Sequence, residues 1–562
     1  MKKGYSLLIS GLVSTSILSL AGCSTSSNGT SPTTSSKGSS DSAPTASNPL
    51  KLTWFSDVPE YNWTWNTKKN LVQKTITDQT GLTFTMNTPP EQADTKLNLM
   101  MATGKLPDII STQQPSIVTQ LAKSGKVWNL EDLFKQYDPS FLKQFPSGIV
   151  TELNNEFGGF YSMPSFATSA DEFKQYPQTQ SALLYQSGWA FIVNQQLMQK
   201  AGIKLSQLKT EDDVIAALKK VKSMNMKVNG APVIPLQIDD KDDWWYVTLQ
   251  NLAQMFGGMP VTKQGDYRSI DESPEMEHAI DFLFKLAQAG VIDQSEFTLD
   301  TSSVTSAVQS GRVFALLGNA ANPNWASMYT ADHNVMWVSP GSIDSDQGTT
   351  PVFPYTHSAG WTQTMVSKNA PNPEAIAKWL AYMWSPKTQI LVQYGLQGTD
   401  WHWSKNGTIV QNPQVVKKLN NSKLNYAATL GIDQMWYFDN PVYMQSVAAP
   451  PKAPQSWENK MESAAALTKP VYRYDADALS MPATLIAPGS TLYNDQQQIT
   501  TYWQAQVPKM IFASSEAQEK QIWQQTIQQM DKMGQTKIDS VDNTEFHKLE
   551  KVFGYTLKGV NP

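Results

Sequence analysis

The first part of the folded body alternates strand and helix patterns, and this alternation restricts the fold more than any other feature. Leu50 to Val58 and Leu82 to Asn87 alternate as strands, and Pro107 to Ile110 is short and apolar. Helical patterns over 66–78 and 91–103 separate these strands, and a glycine follows each of them. A β-α-β-α-β run builds a parallel sheet with right-handed crossovers. The sequence therefore predicts an α/β fold whose functional loops follow the carboxyl ends of strands.

The N-terminus carries a segment of a different kind. Two lysines precede an apolar stretch, Leu7 to Leu20. This stretch is shorter than the ~20 residues of a membrane span and is typical of a secretory signal peptide. It ends in Leu20-Ala21-Gly22-Cys23, which resembles the bacterial lipobox, and Cys23 is the one cysteine of the chain. We therefore expect residues 1–22 to be a lipoprotein signal peptide and Cys23 to carry the lipid, including palmitate.

Residues 23–49 follow as a predicted tether. Ser and Thr supply 15 of the 26 residues from 24 to 49, so this segment has too little apolar surface to form a core. A flexible chain of this length spans roughly 30 Å. We expect the folded body to lie close to the extracellular face of the cell membrane, anchored by lipid rather than threaded through the bilayer.

Composition argues against several classes of function. One cysteine and five histidines do not support a disulfide scaffold or a Cys-based metal site, and a net charge of −5 argues against nucleic acid. Three arginines (Arg268, Arg312 and Arg473) provide few clamps for an anionic ligand, whereas 18 tryptophans suit neutral polar ligands. Asp344 to Gly348 has the start of a calcium loop without its later acidic ligands, and we interpret it as a solvated turn. We expect no metal, no cofactor and a monomer.

The alternation of strands and helices returns later in the chain with different residues. Strands are predicted over 189–193, 232–238 and 312–317, and helices over 210–221, 273–289 and 374–384. We predict two α/β lobes. The first comprises residues 50–165 with a return segment at about 355–400, and the second comprises residues 185–345 with a C-terminal helical segment at about 400–562.

Six short segments, taken in order, resemble those of family 1 extracellular solute-binding proteins, and specifically the large lipoprotein branch that serves oligosaccharide ABC importers. They are 104–110 (GKLPDII), 125–137 (GKVWNLEDLFKQY), 157–164 (FGGFYSMP), the helix over 211–222, 314–325 (FALLGNAANPNW) and 394–407 (YGLQGTDWHWSKNG). Phe157 and Ser162 depart from the acidic residue and the second glycine of the family pattern. The resemblance extends over roughly residues 50–562.

The resemblance implies a two-lobed periplasmic-binding-protein-like fold of type 2 with a hinge between the lobes. A ligand is then trapped between the lobes, and the membrane permease of an ABC importer recognises the closed form. Because the ligand touches both lobes only when they are closed, binding shifts the population toward that state. The resemblance thus implies carbohydrate transport, with a neutral sugar as the cargo.

Loops that follow predicted strands supply part of the candidate ligand-binding residues, and loops that resemble those of the family supply Asn319, Trp325, Asp400 and Trp401, whereas Trp361 lies near a return crossing into the first lobe. Sugars present C–H faces to indole rings and hydroxyls to Asp, Asn and Gln, and an unpaired group in a dry cleft costs ~1–3 kcal/mol. The candidates are Asp57, Tyr61, Trp63, Trp65, Gln113, Asp243, Trp244, Trp245, Asn319, Trp325, Trp361, Asp400 and Trp401. Trp436 and Tyr437 are considered but not included, and the predicted core tryptophans are Trp54, Trp379, Trp384, Trp503 and Trp523.

We expect a binding protein rather than an enzyme, because no GxSxG, HExxH, P-loop or GxGxxG motif occurs. The alternative is a surface glycan-binding or glycoside-hydrolase lipoprotein, since a pair of catalytic carboxylates has no sequence signature. A peptide or polyol ligand also remains open, as do the length and linkage of a sugar.

Overall fold

Two mixed sheets organise the folded body. The computed structural model describes residues 43–58, 63–89, 93–179, 189–239, 245–299, 301–319, 336–421, 426–432, 435–448, 472–482 and 485–561. The strands are β1 (Leu50–Ser56), β2 (Leu82–Asn87), β3 (Ile109–Thr112), β4 (Met163–Ser165), β5 (Trp189–Asn194), β6 (Lys227–Val228), β7 (Ala231–Pro232), β8 (Ile234–Ile238), β9 (Val313–Asn319), β10 (Trp337–Val338), β11 (Val352–Tyr355), β12 (Thr362–Val366), β13 (Trp401–Trp403), β14 (Ile409–Gln411) and β15 (Tyr472–Asp475).

Helices cover both sheets and form most of the C-terminal region. They are α1 (Leu71–Thr80), α2 (Ala93–Thr103), α3 (Pro115–Ser124), α4 (Leu130–Tyr137), α5 (Pro139–Leu142), α6 (Ser147–Phe157), α7 (Ala170–Gln175), α8 (Gln195–Lys200), α9 (Glu211–Ser223), α10 (Trp245–Met255), α11 (Pro274–Gln288), α12 (Thr301–Gln309), α13 (Pro373–Trp384), α14 (Pro386–Tyr394), α15 (Pro413–Leu419), α16 (Tyr426–Leu430), α17 (Pro441–Ser446), α18 (Thr491–Ile511), α19 (Glu516–Met533) and α20 (Gln535–Phe553). Among the described residues, none of these helices combines the length and apolarity of a membrane span.

The first sheet has the order β2-β1-β3-β12-β4. Strands β1, β2 and β3 run parallel, which confirms the predicted β-α-β-α-β run. Strand β12 comes from much later in the chain and pairs antiparallel with both β3 and β4. Strand β3 begins at Ile109 rather than at Pro107, because the proline has no N–H for the ladder and the Asp108 carboxylate instead accepts from the Thr53 N–H at 2.8 Å.

The second sheet has the order β10-β5-β9-β8, and all its strands lie between residues 189 and 338. Strands β8 and β9 are parallel, and β5 runs antiparallel to β9. Two of its covering helices begin as the sequence predicts. The Thr210 hydroxyl accepts from the Asp213 N–H at 3.2 Å before α9, and the Ser273 hydroxyl accepts from the Met276 N–H at 3.0 Å before α11.

Each sheet has its own hydrophobic core. In the first core the buried Trp54 ring meets the rings of Phe84 and Trp379 edge-on, at centroid distances of 5.2 and 5.5 Å. In the second core Trp503 and Trp523 pack together at 5.9 Å. All five tryptophans predicted to be core residues are buried, which confirms that prediction.

The C-terminal part of the chain is divided between the two cores. Trp503, Trp523 and Ile538 of the last three helices pack in the second core, whereas Leu430 and Phe438 pack in the first. The structure therefore does not keep the whole 400–562 segment with the second sheet. A helix as short as α16 presents too few apolar positions for its sequence to indicate which core it covers.

The structure also shortens the predicted tether. Residues 43–49 lie against the folded body, where Thr45 and Asn48 exchange backbone hydrogen bonds of 3.1 and 3.3 Å. The backbone of Pro44 passes so close to Gly81 that a Cβ at Gly81 would overlap it. Glycine at this helix end, with φ of 68°, therefore makes room for the segment that leads into β1.

Candidate functional site

Several candidate residues meet at one edge of the first sheet. Strands β1, β3 and β4 all end there, and the register of β12 against β3 and β4 places the start of β12 at the same edge. The residues next to these strand ends are Asp57 after β1, Gln113 after β3, Phe166 after β4 and Trp361 before β12. Three of them were predicted from the sequence, and Phe166 was not.

An aromatic cluster of Phe166, Trp361 and Trp436 forms the apolar part of this edge. The Phe166 ring stacks on the Trp436 ring with centroids 5.7 Å apart and an interplanar angle of 21°, and it lies 6.3 Å from the Trp361 ring. Trp361 is 40% exposed, which is rare for an indole in this fold, and the other two rings are half-buried. The cluster therefore offers an open aromatic face to solvent.

Hydrogen bonds of the main chain hold the three aromatic residues together. The Phe166 N–H donates to the Asp439 carbonyl at 2.9 Å, and the Trp361 N–H donates to the Ser165 carbonyl at 3.2 Å. The Ser165 hydroxyl donates to the Trp436 carbonyl and accepts from the Asp439 N–H at 3.2 Å. A single serine thus links β4, the start of β12 and the turn that carries Trp436.

The backbone around the cluster is unusual at two positions. Phe166 has a φ of 62°, in the left-handed region that a bulky side chain rarely adopts. Gly360 has a φ of 88°, and a Cβ there would overlap the Ser165 carbonyl oxygen. Strained backbone of this kind persists where the surrounding contacts over-determine it, and it is common at binding sites.

The Asp57 carboxylate ties two loops of this edge together. It accepts from the Thr112 hydroxyl at 2.5 Å and from the Gln113 N–H at 3.0 Å, and the side chain is buried. Asp57 therefore fixes the loop after β3, and the half-buried Gln113 side chain is the polar group that this loop presents.

Two buried carboxyl groups lie behind the cluster. Asp439 is 4% exposed and accepts from the Gln393 amide, and burial raises the pKa of Asp439 to about 7. Glu172 accepts from the Asn440 amide at 3.1 Å, and burial raises the pKa of Glu172 to about 7 as well. Both groups therefore keep their proton to higher pH than an ordinary carboxyl group does, and both accept hydrogen bonds from neighbouring amides.

The second sheet ends in loops that contain other candidates. Asp239 follows β8 and donates its N–H to the Leu317 carbonyl of β9 at 2.9 Å, and Asn319 ends β9 opposite Trp189. The backbone of Asn319 is described, but its side chain is not. The candidates Tyr61, Asp243, Trp244 and Trp325, and Cys23, lie outside the described residues.

The structure buries four further candidates and half-buries a fifth, Trp63. Trp65 donates its indole N–H to the Thr77 hydroxyl at 3.0 Å, Trp401 donates to the Gly395 carbonyl at 3.1 Å, and the Asp400 carboxylate accepts from the Leu396 N–H at 2.8 Å. Trp245 packs edge-on against Phe297 at 5.4 Å, and the local contacts of these four residues explain their positions without a ligand. Trp63 packs against Trp54 at 6.2 Å, but its indole N–H has no hydrogen-bond partner among the described residues.

A cavity of about 520 Å³ lies next to the segment that leads into Trp361. Glu152 and Glu156 of α6 line it together with His357, Asp477 and Lys548. The His357 Nδ1 atom lies 2.6 Å from an Asp477 carboxylate oxygen, and burial raises the pKa of both glutamates to about 7. Its lining thus combines acidic groups with apolar side chains such as Leu549 and Phe553, in contrast to the aromatic cluster.

Comparison with protein families identifies the fold. The profile described as "Bacterial extracellular solute-binding protein" matches residues 66–390. The chain belongs to this family. A comparison with curated protein sequences found no match.

Several solved structures resemble the chain over most of its length. A Streptococcus pneumoniae ABC-transporter substrate-binding protein in complex with kestose is 16% identical with a TM-score of 0.61, covering 90% of this chain and 100% of that one. An alginate-binding protein is 15% identical with a TM-score of 0.61, covering 89% of this chain and 98% of that one. A Streptococcus pneumoniae N-glycan transport solute-binding protein in complex with Man1GlcNAc is 15% identical with a TM-score of 0.55, covering 89% of this chain and 99% of that one. The solute-binding protein therefore has the predicted two-lobed periplasmic-binding-protein-like α/β fold.

Replacing Gly360 by alanine tests how the cluster is held. A methyl group there would push on the Ser165 carbonyl, so we expect a loss of more than about 2 kcal/mol in the free energy of unfolding and a changed near-UV circular dichroism. Gly348→Ala is the control, because Gly348 has a similar φ of 70° with open space around its Cβ. It should cost only the ~1–2 kcal/mol of the left-handed backbone. Equal losses in the two variants would show that no overlap exists at Gly360.

Asp439→Asn tests the buried carboxyl group. Its pKa is about 7 in the folded protein and near 4 in the unfolded chain, so the folded state gains stability from it at acid pH and loses that gain as pH rises from about 4 to 7. The amide does not titrate. We expect the free energy of unfolding in urea, variant minus wild type, to be about 2 kcal/mol more positive at pH 8 than at pH 5, since only the wild type loses stability over this range. Asp132→Asn, at an exposed helix position, is the control for replacing a surface carboxyl group by an amide; parallel pH profiles of the wild type and Asp439→Asn would be the contrary result.

Proposed function

We propose that this protein is the substrate-binding component of an ABC importer for a neutral oligosaccharide. The observation that carries the proposal is the aromatic cluster with its exposed Trp361 at the carboxyl edge of the first sheet. Ligands of open α/β sheets bind at such edges. An indole face buries the C–H groups of a pyranose or furanose ring, and the Gln113 amide beside it can pair with ring hydroxyls.

The similar structures support a saccharide as the ligand. Kestose, alginate and Man1GlcNAc are named with three of them, and all are carbohydrates. At 15–16% identity the likeness does not transfer any single ligand. The structural likeness and the aromatic cluster together support a carbohydrate as the class of ligand.

The position of the arginines favours a neutral sugar over a uronate. Arg312 directly precedes β9, and Asn319 is at the other end of that strand. Arg473 lies in β15, with its guanidinium 5.0 Å from the centre of the Phe353 ring. Arg268 lies close enough to Glu275 to lower the pKa of that carboxyl, although burial raises it overall. None of the three is next to the aromatic cluster in the strand register, so an anionic sugar would lack a guanidinium partner there.

Delivery to the permease follows from lobe closure, and no catalytic step is needed. A ligand that touches both lobes only in the closed form stabilises that form, and the permease then distinguishes loaded from free protein. The family and its structural relatives are binding proteins. We infer that this protein is likewise not an enzyme and returns its sugar intact.

Lipid attachment at Cys23 completes the proposal. The Leu20-Ala21-Gly22-Cys23 motif after an apolar stretch supports cleavage before Cys23 and acylation of its thiol. Such a protein stays at the extracellular face of the membrane, where the permease lies. The described part of the chain begins at residue 43, so roughly twenty residues separate the lipid from the folded body.

Ligand binding is tested with the mature chain that starts at residue 23 and carries Cys23→Ser. We expect one class of neutral oligosaccharide to raise the melting temperature, with a gain of about 2.7 kcal/mol at a hundredfold excess over Kd, and chromatography to recover it intact. Phe166→Ala and Trp361→Ala should each weaken binding roughly 30-fold, since an aromatic anchor contributes about 2 kcal/mol. Trp403→Ala removes an equally exposed tryptophan of the β13–β14 hairpin and should leave Kd within about twofold.

Other outcomes of the same experiment would overturn parts of the proposal. A shift with peptides or polyols and none with sugars would keep the family and reject the ligand class. Release of shorter sugars would indicate a glycoside hydrolase. Unchanged affinity in Phe166→Ala and Trp361→Ala, with a sugar that binds, would place the site elsewhere in the protein.

The lipid anchor is tested with the full chain in a bacterial host that processes lipoproteins. We expect the wild type in the membrane fraction, with the mass of a chain that begins at Cys23 plus its lipid. Cys23→Ser should release the protein or leave it with an uncleaved leader, whereas Ser24→Ala, next to it, should behave as the wild type. A wild type without lipid mass would contradict the anchor.

A further inference from the structure

A second cluster of side chains, away from the aromatic cluster in sequence, has the ligand set of a metal site. The Glu211 Oε1 atom lies 2.6 Å from His278 Nε2, and Asp346 Oδ1 lies 3.3 Å from the same nitrogen. One ligand atom from each residue fits within 4.8 Å of the other two. We propose that Glu211, His278 and Asp346 bind a divalent first-row transition-metal ion.

An unsatisfied buried oxygen is an independent observation at this site. The Glu211 side chain is 2% exposed, and its Oε2 atom accepts no hydrogen bond from any described residue. The nearest cation, Lys285 Nζ, lies 4.0 Å away, which is beyond hydrogen-bonding distance. A buried carboxylate oxygen without a donor is destabilising, and a metal ion would provide it with a direct contact.

The second nitrogen of His278 has a partner of its own. The Gln347 amide lies 3.0 Å from Nδ1. The atom at that distance is the amide nitrogen, which donates to Nδ1, so Nε2 carries the ring hydrogen and donates it to the Glu211 Oε1 atom at 2.6 Å. A bound ion would take the place of this hydrogen. The Gln347 amide would then turn so that its oxygen accepts from an Nδ1–H, which is the arrangement that generally holds metal-ligating histidines.

The ligand chemistry selects the class of ion. Imidazole with carboxylates is typical of Zn²⁺ and its neighbours, whereas Ca²⁺ and Mg²⁺ prefer oxygen ligands only. Three protein ligands leave one position of a tetrahedral ion for water. The Asp346 side chain is 52% exposed, so the ion can enter from solvent past this residue.

Lys285 is the charge that competes for this place. Its ammonium lies 3.2 Å from Asp346 and 2.9 Å from Asp281 of its own helix, and the side chain is 38% exposed. Because Asp281 remains as a partner, Lys285 can release Asp346 without becoming unpaired. The metal ion and the lysine therefore compete for one carboxylate rather than for the whole site.

The three ligands come from separate elements of the second lobe. Glu211 begins α9, His278 lies in α11, and Asp346 lies in the Asp344–Gly348 turn that the sequence interpreted as only solvated. Two hydrogen bonds already hold that turn. The Asp344 N–H donates to the Lys209 carbonyl at 2.6 Å, and the Asp346 N–H donates to Glu211 Oε1 at 2.9 Å. A bound ion would fasten it further, just before β11. This role is independent of the proposed sugar site.

The test uses the mature chain with Cys23→Ser, freed of metal by a chelator and then titrated with Zn²⁺, Mn²⁺, Co²⁺, Ca²⁺ or Mg²⁺. We expect one Zn²⁺ per chain by elemental analysis, a raised melting temperature, and visible absorption bands of a low-symmetry site with Co²⁺. His278→Gln should abolish the shift and the bands. His402→Gln, an exposed histidine of the β13–β14 hairpin, is the matched control and should retain both.

A surface variant keeps the test decisive where the buried change impairs folding. Asp346→Asn removes one ligand from the exposed turn, so the chain should fold normally and bind Zn²⁺ at least tenfold more weakly. Absence of stoichiometric Zn²⁺ binding would overturn the proposal. So would full binding in both His278→Gln and Asp346→Asn, or a shift with Ca²⁺ equal to that with Zn²⁺, because an imidazole ligand does not favour Ca²⁺.

Discussion

The first sheet depends on a strand that the chain supplies late. Strand β12 lies between β3 and β4, and there the Ser162 hydroxyl donates to the Gln363 amide oxygen at 2.7 Å across 201 residues of sequence. Without β12 the strands β3 and β4 have no common partner, and the edge that carries Gln113, Phe166 and Trp361 does not form. The second sheet is therefore inserted in sequence between β4 and β12, and the late strand β12 is also what positions the aromatic cluster.

The aromatic cluster illustrates how main-chain geometry and ligand chemistry are connected. Ser165 bonds to the backbone on both sides, Gly360 leaves the space that its carbonyl needs, and Phe166 adopts a left-handed conformation against its intrinsic preference. Together they fix an exposed indole on a rigid support, which reduces the entropy that ordering this surface would otherwise cost on binding. The buried carboxyl groups of Asp439 and Glu172 support this arrangement by accepting hydrogen bonds from the Gln393 and Asn440 amides.

The sequence predicted local structure well because local structure has local causes. Alternation and terminal glycines such as Gly81 define β1, α1 and β2 within one short stretch, and side-chain caps define α9 and α11. The antiparallel pairing of β12 inside the first sheet was not predicted. Its partner β4 lies about 201 residues earlier in the chain, and the sequence pattern of a five-residue strand does not indicate which distant strand it pairs with. The site was predicted in part. Trp361, Gln113 and Asp57 lie at the edge, whereas Trp65 and Trp401 follow the same loop rule and turn inward toward the Thr77 hydroxyl and the Gly395 carbonyl. Phe166 was missed because no short pattern indicates a left-handed phenylalanine.

The late arrival of β12 has a consequence during synthesis of the chain. Strand β3 is buried on both faces in the finished protein, yet its pairing edge stays open until Val366 has left the ribosome. At ~5–20 residues per second, the interval after Ser165 is completed lasts roughly 10–40 s. An apolar strand with a free edge is a template for aggregation throughout that time. The strand order therefore favours sequences in which the segment between β4 and β12 folds quickly, or in which the nascent chain is shielded until β12 is made.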